Sequence, residues 1–259
     1  LTGSGVLGDG TLEGNEEALT VYTDTVLIDQ LRHAVRSAGK MSEQRIPFSV
    51  REEARMGLQD WWSDRIDTAI INQLCGVGAV TDVRLTGGNA TAEPTATRIK
   101  IEGAGATLET SITTTATMSL AYIDQAVATA KSATPLIRPI MVNGVPHYIL
   151  FMHPYQVYAL RQTAATLGSW TDIQKAAMMG GKVGDNPIFT GALGVYNNVI
   201  LVENARIPTG LNAANTRRAL FCGAQAGVFA VGQDSAPEKM SWVEEVFDYE
   251  NQLGVSAGM

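Results

Sequence analysis

The longest regular pattern of apolar and polar positions runs through PFSVREEARMGLQDWWSDRIDTAIINQLCG, residues 47–76. Ala54, Leu58, Trp61, Trp62, Ile66, Ala69, Ile70 and Leu74 recur close to helical spacing, which predicts an amphipathic helix with one broad buried side. Ser49 and Glu52 form the S-x-x-E signature of a capped helix start, and Gly76 after Cys75 supplies a stop. A helix over Val50–Cys75 is about 39 Å long at a rise of about 1.5 Å per residue. Its expected core is Leu58, Trp61, Trp62, Ile66 and Ile70. Such an element is a beam for others to pack against.

The remaining patterns are shorter. Residues 20–28 alternate, with Val21, Thr23, Thr25 and Leu27 opposite Tyr22, Asp24, Val26 and Ile28, which predicts a strand. With the glycine-rich stretch before it, residues 1–28 read as the tip and returning arm of a long hairpin. A second helix is expected over 118–133, with Leu120, Ile123, Val127 and Ala130 inward. RPIMVNGVPHYILFMHP predicts two strands joined at Asn143-Gly144, a strong hairpin dipeptide. Helices are expected over 154–167 and near 170–179, a glycine-punctuated β region over 186–208, and strands from 217 to the end. Residues 77–117 show no helical period, and there is no internal repeat.

Composition narrows this picture modestly. A chain of 259 residues with 45% hydrophobic and 17% charged residues suits one large or two modest folded domains. No stretch approaches the roughly 20 apolar residues needed to span a bilayer, so no membrane role is expected. No signal peptide is visible, although Leu1 is not an initiator methionine. Cys75 and Cys222 lie far apart, suggest neither a disulfide framework nor a zinc knuckle, and fit assembly in a reducing compartment.

Charge distribution says more than the net charge of −7. Residues 1–31 contain six carboxylates (Asp9, Glu13, Glu16, Glu17, Asp24, Asp29) and no Lys or Arg. Immediately afterwards come Arg32, Arg36, Lys40, Arg45, Arg51 and Arg55 against Glu43, Glu52 and Glu53. An acidic arm beside a basic segment is expected where one piece of chain docks on another, within a molecule or between copies; two separately solvated faces are the alternative.

Several short motifs invite chemistry, and none keeps the context its chemistry requires. Gly3, Gly5 and Gly8 spell G-x-G-x-x-G, but no strand precedes them, no helix follows, and the surrounding carboxylates repel phosphate. The segment is better read as an exposed acidic loop. Gly254, Ser256 and Gly258 match G-x-S-x-G, yet the nucleophile elbow needs a following helix and a later histidine, whereas His33, His147 and His153 all lie upstream. His147 and His153 lack partners at metal-site spacing and read as a turn and a capping histidine. The adjacent acids Glu16 and Glu17, Glu52 and Glu53, and Glu244 and Glu245 diverge on a strand or helix. GGKVG at 180–184 lacks the full phosphate-loop pattern. No catalytic residue, metal site or cofactor is expected.

Four long segments, in order, carry a more specific signal: GDGTLEGNEEALTVYTDTVLIDQLRHAV (8–35), MSEQRIPFSVREEARMGLQDWW (41–62), FMHPYQVYALR (151–161) and NPIFTGALGVYNNVILVE (186–203). They closely resemble the major capsid proteins of tailed bacteriophages of the N-four type, a family similar to the Hong Kong ninety-seven type. The resemblance implies an α+β fold with an E-loop hairpin (1–28), a P-domain (29–133) with Val50–Cys75 as spine helix, an A-domain (134–225) and a return to the P-domain sheet (226–259). It also implies residues before Leu1 and after Met259.

The implied function is structural, not enzymatic. Copies would assemble as hexamers and pentamers into the icosahedral head of a tailed phage, in the host cytoplasm. The shell would enclose double-stranded DNA without sequence-specific binding, which suits a mildly acidic chain, and scaffolding, decoration and portal proteins would be its further partners. Asp9, Glu13, Glu16 and Glu17 of one copy are then expected to meet Arg32, Arg36, Lys40 and Arg45 of another. No Lys lies in residues 1–39, so covalent Lys–Asn crosslinking is not carried over. An encapsulin-like cellular compartment is the alternative, and a serine hydrolase using Ser256 a remote one.

Overall fold

A computed structural model describes residues 5–18, 23, 25–78, 80–101, 109–113, 115–162, 193–210, 216–232 and 241–259. The helix expected near 170–179 and the loop 180–184 lie outside these residues, as do 163–167 of the helix expected at 154–167, 186–192 of the expected β region, and positions 20–22 and 24 of the strand expected at 20–28.

The chain orders a strand β1 (Arg32–Arg36), a short helix α1 (Lys40–Glu43), the long helix α2 (Val50–Cys75) and a single turn α3 (Val83–Thr86). Two 3-10 turns, Ala96–Arg98 and Glu109–Ser111, precede helix α4 (Leu120–Ser132), strands β2 (Ile140–Val142) and β3 (Val145–Met152), and helix α5 (Pro154–Gln162). Then come β4 (Val195–Tyr196), β5 (Val199–Glu203), β6 (Leu220–Cys222), β7 (Ser241–Phe247) and β8 (Gln252–Gly258).

Local chemistry sets the ends of α2. The hydroxyl of Ser49 accepts the Glu52 N–H at 3.4 Å, and Glu52 and Glu53 sit at the positive end of the helix dipole. At the other end Gly76 takes a left-handed φ of 60° and donates its N–H to the Asn72 carbonyl. A side chain there would also collide with the Ala92 carbonyl, since a Cβ would sit 2.6 Å from it.

Two separate sides of α2 are buried along its length. Its first half lays Ala54, Leu58 and Trp62 on Val255 and Ala257 of a three-stranded antiparallel sheet ordered β1-β8-β7. Trp61 and Ile66 pack partly buried at the edge of that core. Towards its end the helix turns Ile71 and Cys75 onto Val77 and Ile207. Ile70, expected inside, is 37% exposed. At about 100° per residue it points about 160° away from Asn72, which continues the Ala54–Leu58 line, about 140° away from Cys75 and about 100° away from Ile71.

The second sheet is built on β3. Its order is β2-β3-β5-β4, with β6 antiparallel to β3, and β3 and β5 run parallel from Tyr148 beside Val199 to Met152 beside Glu203. Asn143 and Gly144 take φ of 50° and 80°, the left-handed pair that a two-residue hairpin between β2 and β3 requires. Period-two alternation sends Tyr148, Leu150 and Met152 to one face, against Ile123, Val127 and Ala130 of α4 and Val157 and Leu160 of α5. Phe151, on the opposite face, packs against the end of α2. The sheet is thus clamped between α4 and α5 on one side and the spine-like helix on the other.

The strand expected over 20–28 is not formed at Thr23 or at 25–28. Leu27 instead pairs with a side chain: its N–H donates to Asn89 Oδ1 at 2.9 Å, and Asn89 Nδ2 donates to its carbonyl at 3.0 Å. The amide of Asn89 stands in for a neighbouring strand, so the alternation of the sequence meets no ladder there.

Candidate intersubunit interface

Residues 5–18 form an extended arm with two turns. Gly5, Gly8 and Gly14 take φ of 68°, 64° and 88°, and Asn15 closes the second turn through its N–H to the Leu12 carbonyl at 3.0 Å. The side-chain amide of Asn15 donates to the Thr11 carbonyl, and Glu16 folds back to accept the Gly14 N–H at 2.7 Å. Asp9, Glu13, Glu16 and Glu17 are all exposed, and in the same arm Leu7 is 91% and Leu12 62% exposed. Two large apolar side chains are thus left in water beside four carboxylates.

The basic residues Arg32, Arg36, Lys40 and Arg45 are exposed too. Among the described residues no ion pair joins them to the arm. Arg36 is engaged differently, with its guanidinium 4.4 Å above the Phe247 ring. Lys40 holds the chain with its backbone, donating its N–H to the Asn251 carbonyl at 3.1 Å, and Arg45 caps the turn after α1 with a bond to the Ser42 carbonyl. Arg32 borders a cavity, together with Leu31, His33, Trp61, Arg65 and Arg84.

The G-x-S-x-G segment is explained by the same sheet. Gly254, Ser256 and Gly258 lie on the β8 face away from α2, while Val255 and Ala257 face the helix. A Cβ on Gly254 would stand 2.6 Å from the Phe247 ring, and one on Gly258 would stand 2.8 Å from the Arg32 stem. Side chains of the flanking strands cross the central one where it is bare. Ser256 donates its hydroxyl to the Val243 carbonyl at 3.3 Å and sits in mid-strand, without the strand-to-helix elbow of a nucleophile. His33 is stacked on Trp61 with centroids 4.3 Å apart. His153 caps α5, its Nδ1 accepting the Tyr155 N–H at 3.2 Å, and His147 Nδ1 lies 2.9 Å from the Val145 carbonyl beside the hairpin turn.

Sequence reading overlooked the polar ties that join α2 to the second sheet. Arg206 bonds Asp64 at 2.9 Å and Asp67 at 3.2 Å, a pair three residues apart on one helix face. Arg218 pairs with Glu109 and donates to the carbonyls of Cys75 and Gly76. The Asp64–Asp67 spacing was legible; its distant partner was not. Among the described residues, no group of acids, histidines or cysteines is arranged to hold a metal ion, and no helix is long and apolar enough to cross a membrane.

Comparison with known proteins fits this architecture throughout. The family model described as Phage capsid protein matches residues 1–259. The major capsid protein of Pseudomonas phage KPP25 is 29% identical over 286 aligned residues, covering 99% of this chain and 72% of that protein. The capsid of Ralstonia phage GP4 superposes with a TM-score of 0.77 at 31% identity, over 99% of this chain and 74% of that one. The capsid of cyanophage Pam1, at 18% identity, shares the fold with a TM-score of 0.70 over 100% of this chain and 76% of its own. The chain therefore has the α+β Hong Kong ninety-seven type of fold and belongs to the phage capsid protein family.

Proposed function

We propose that this chain is the major capsid protein of a tailed double-stranded DNA phage, and that its copies close into an icosahedral head shell as hexamers and pentamers. The observation that carries this is the match of its whole length to one capsid family, together with the shared fold of the Ralstonia phage GP4 capsid. Its role is to build the virion shell, assembled in the host cytoplasm, and not to catalyse a reaction. The DNA inside is enclosed without sequence-specific contacts.

In this reading residues 1–28 are the E-loop, 29–133 the P-domain with α2 as spine, 134–225 the A-domain and 226–259 the return to the P-domain sheet. Helix α4 packs on the β3 sheet of the following segment and so couples the two domains. The exposed arm supports the assembly reading, because Leu7 and Leu12 are largely exposed. The acids Asp9, Glu13, Glu16 and Glu17 would meet Arg32, Arg36, Lys40 and Arg45 across the subunit boundary. Each exposed pair is worth only about 0 to 1 kcal/mol, but the contact repeats around every capsomer.

Negative-stain electron microscopy of the concentrated protein tests the reading. Closed particles with five- and six-fold capsomers are expected; a species that stays monomeric at every concentration would sink it. Double-stranded DNA, not an enzyme cargo, is expected inside particles recovered from infected cells.

A further inference from the structure

One residue grips both the spine helix and the root of the acidic arm. The loop after α3 runs beside Leu27–Asp29, and the two stretches meet at Gly88, where a Cβ would stand 3.0 Å from Asp29 Cβ and 3.4 Å from the Leu27 carbonyl oxygen. From late in the chain Gly232 borders the same root, where a Cβ would meet Ile28 Cγ2 at 3.2 Å. Leu27 is nevertheless 64% and Ile28 60% exposed, so burial restrains this stretch little. The direction of the arm then depends on directed bonds.

Asn89 supplies two of them. Its Oδ1 accepts the Leu27 N–H at 2.9 Å, and its Nδ2 donates to the Leu27 carbonyl at 3.0 Å. One amide plane that offers both an acceptor and a donor to one residue restrains rotation as well as distance, whereas a single bond leaves a swivel. The backbone of Asn89 is tied to the helix in turn. Its carbonyl accepts Gln73 Nε2 at 2.6 Å, and the same nitrogen donates to the Thr86 carbonyl at 2.7 Å. The adjacent Asn72, buried on α2, donates to the Leu85 carbonyl at 3.0 Å. Spine helix, loop and arm root are thereby linked through side-chain amides, and Asn89 makes the last link.

Resting on the shell reading, we propose that Asn89 is a positioning residue for assembly: its paired bonds to Leu27 set the angle at which the arm leaves the spine helix. An arm free to pivot spends only part of its time in a direction that a neighbouring copy can use, and apparent affinity falls by that fraction at every contact. Asn89 acts on that fraction from within its own chain.

Distances between nitroxides on Thr11→Cys in the arm and Asp60→Cys on the spine helix, measured by electron double resonance in the unassembled full chain, test this. Cys75 and Cys222 are buried, and a chain carrying only these two gives the labelling blank. Asn89→Ala should widen the distance distribution by about twofold or more, because the arm then samples several directions. Melting should stay as in the parent, since Asn89 joins no core cluster among the described residues. Without the labels, the same variant should give roughly fivefold fewer closed particles on negative-stain electron microscopy. A distribution equally wide in parent and variant overturns the role, and so does a wider one accompanied by normal shells. If Asn89→Ala melts early, replacement of Leu27 by leucic acid decides, because it deletes the N–H donor and keeps every side chain: widening supports the role and no widening overturns it. Failure of the parent chain to form particles overturns the shell reading and the assembly role together, whereas parent shells with an unaffected variant overturn the role alone.

Discussion

Arg218 and Glu109 form a bidentate ion pair, 2.7 Å at its shortest, at the point where the spine helix ends against the second sheet. Both side chains are mostly buried, 16% and 14% exposed, and the Glu109 bonds raise the Arg218 pKa further. The same guanidinium donates to the Cys75 and Gly76 carbonyls, at 3.1 and 2.8 Å, which α2 leaves unsatisfied at its C-terminus. One side chain therefore joins the helix end, the turn at Glu109–Ser111 and the strand that follows Arg218.

Removing one member strands the other. Glu109→Gln should destabilise the fold by about 2 to 4 kcal/mol, since breaking a buried pair leaves an uncompensated charge. Arg218→Met should cost at least as much, because two helix carbonyls lose their donor as well. Chemical denaturation of both variants and of the double variant closes the cycle. A coupling energy near zero would show that the pair contributes nothing specific.

The two adjacent tryptophans should behave differently. Trp62 is 3% exposed in the core under the first sheet, so Trp62→Ala should cost about 3 to 5 kcal/mol and yield insoluble or low-melting protein. Trp61 is only partly covered, and Trp61→Ala should keep the fold while losing the His33 stack. Equal melting of both variants and the parent would contradict the packing of α2.

A second pair tests how the helix is rotated. Ile71 is 5% exposed and Ile70 is 37% exposed, so Ile71→Ala should cost about 2 to 5 kcal/mol. Ile70→Ala should stay within about 1 kcal/mol, as expected on a surface face. The reverse order would place the buried stripe on the other side.

The arm should matter to assembly and not to folding. Deleting residues 5–17 removes mostly exposed side chains that join no core cluster among the described residues, so a soluble, cooperatively melting monomer is expected, with no shells on electron microscopy. Raising salt should slow early association, because exposed charges are screened over about 10 Å at 0.1 M. Normal shells from the deletion would show that the arm is dispensable.

Stability should fall in alkali through the two thiols. Burial pushes Cys75 up to about 12, with the Arg218 charge partly opposing it, and burial pushes Cys222 up to about 11, both from 9.0. These groups are held neutral in the fold, so their contribution is intact below about pH 9. It is lost as pH rises towards 11 and 12, where unfolded thiols are already ionised. The slope of stability between pH 9 and 11 should flatten in Cys75→Ala and Cys222→Ala. An unchanged slope would exclude the thiols as its source.

Features governed by neighbours in sequence were legible from the chain alone. The bounds of α2 follow from Ser49 and Gly76, the β2–β3 turn from Asn143 and Gly144, and the inner face of α4 from the spacing of Ile123, Val127 and Ala130. Capping, left-handed turns and side-chain periodicity act within about one or two turns of backbone, so the sequence carries them directly. The long segments that resemble capsid proteins pointed to the family on the same terms.

What required the folded chain was the choice among surfaces that sequence alone leaves equivalent. Ile70 and Ile71 are chemically alike, and only the placement of Val77 and Ile207 buries the second. The alternation at 20–28 suits a strand, but Asn89, brought in from the loop after α3, takes the Leu27 backbone bonds. Arg32 and Arg36 look equivalent along β1, yet Phe247 occupies one and a cavity shared with Arg65 and Arg84 adjoins the other. Apart from Val77, the deciding partners lie tens to hundreds of positions away, and their approach is set by packing of whole elements and leaves no local mark in the chain.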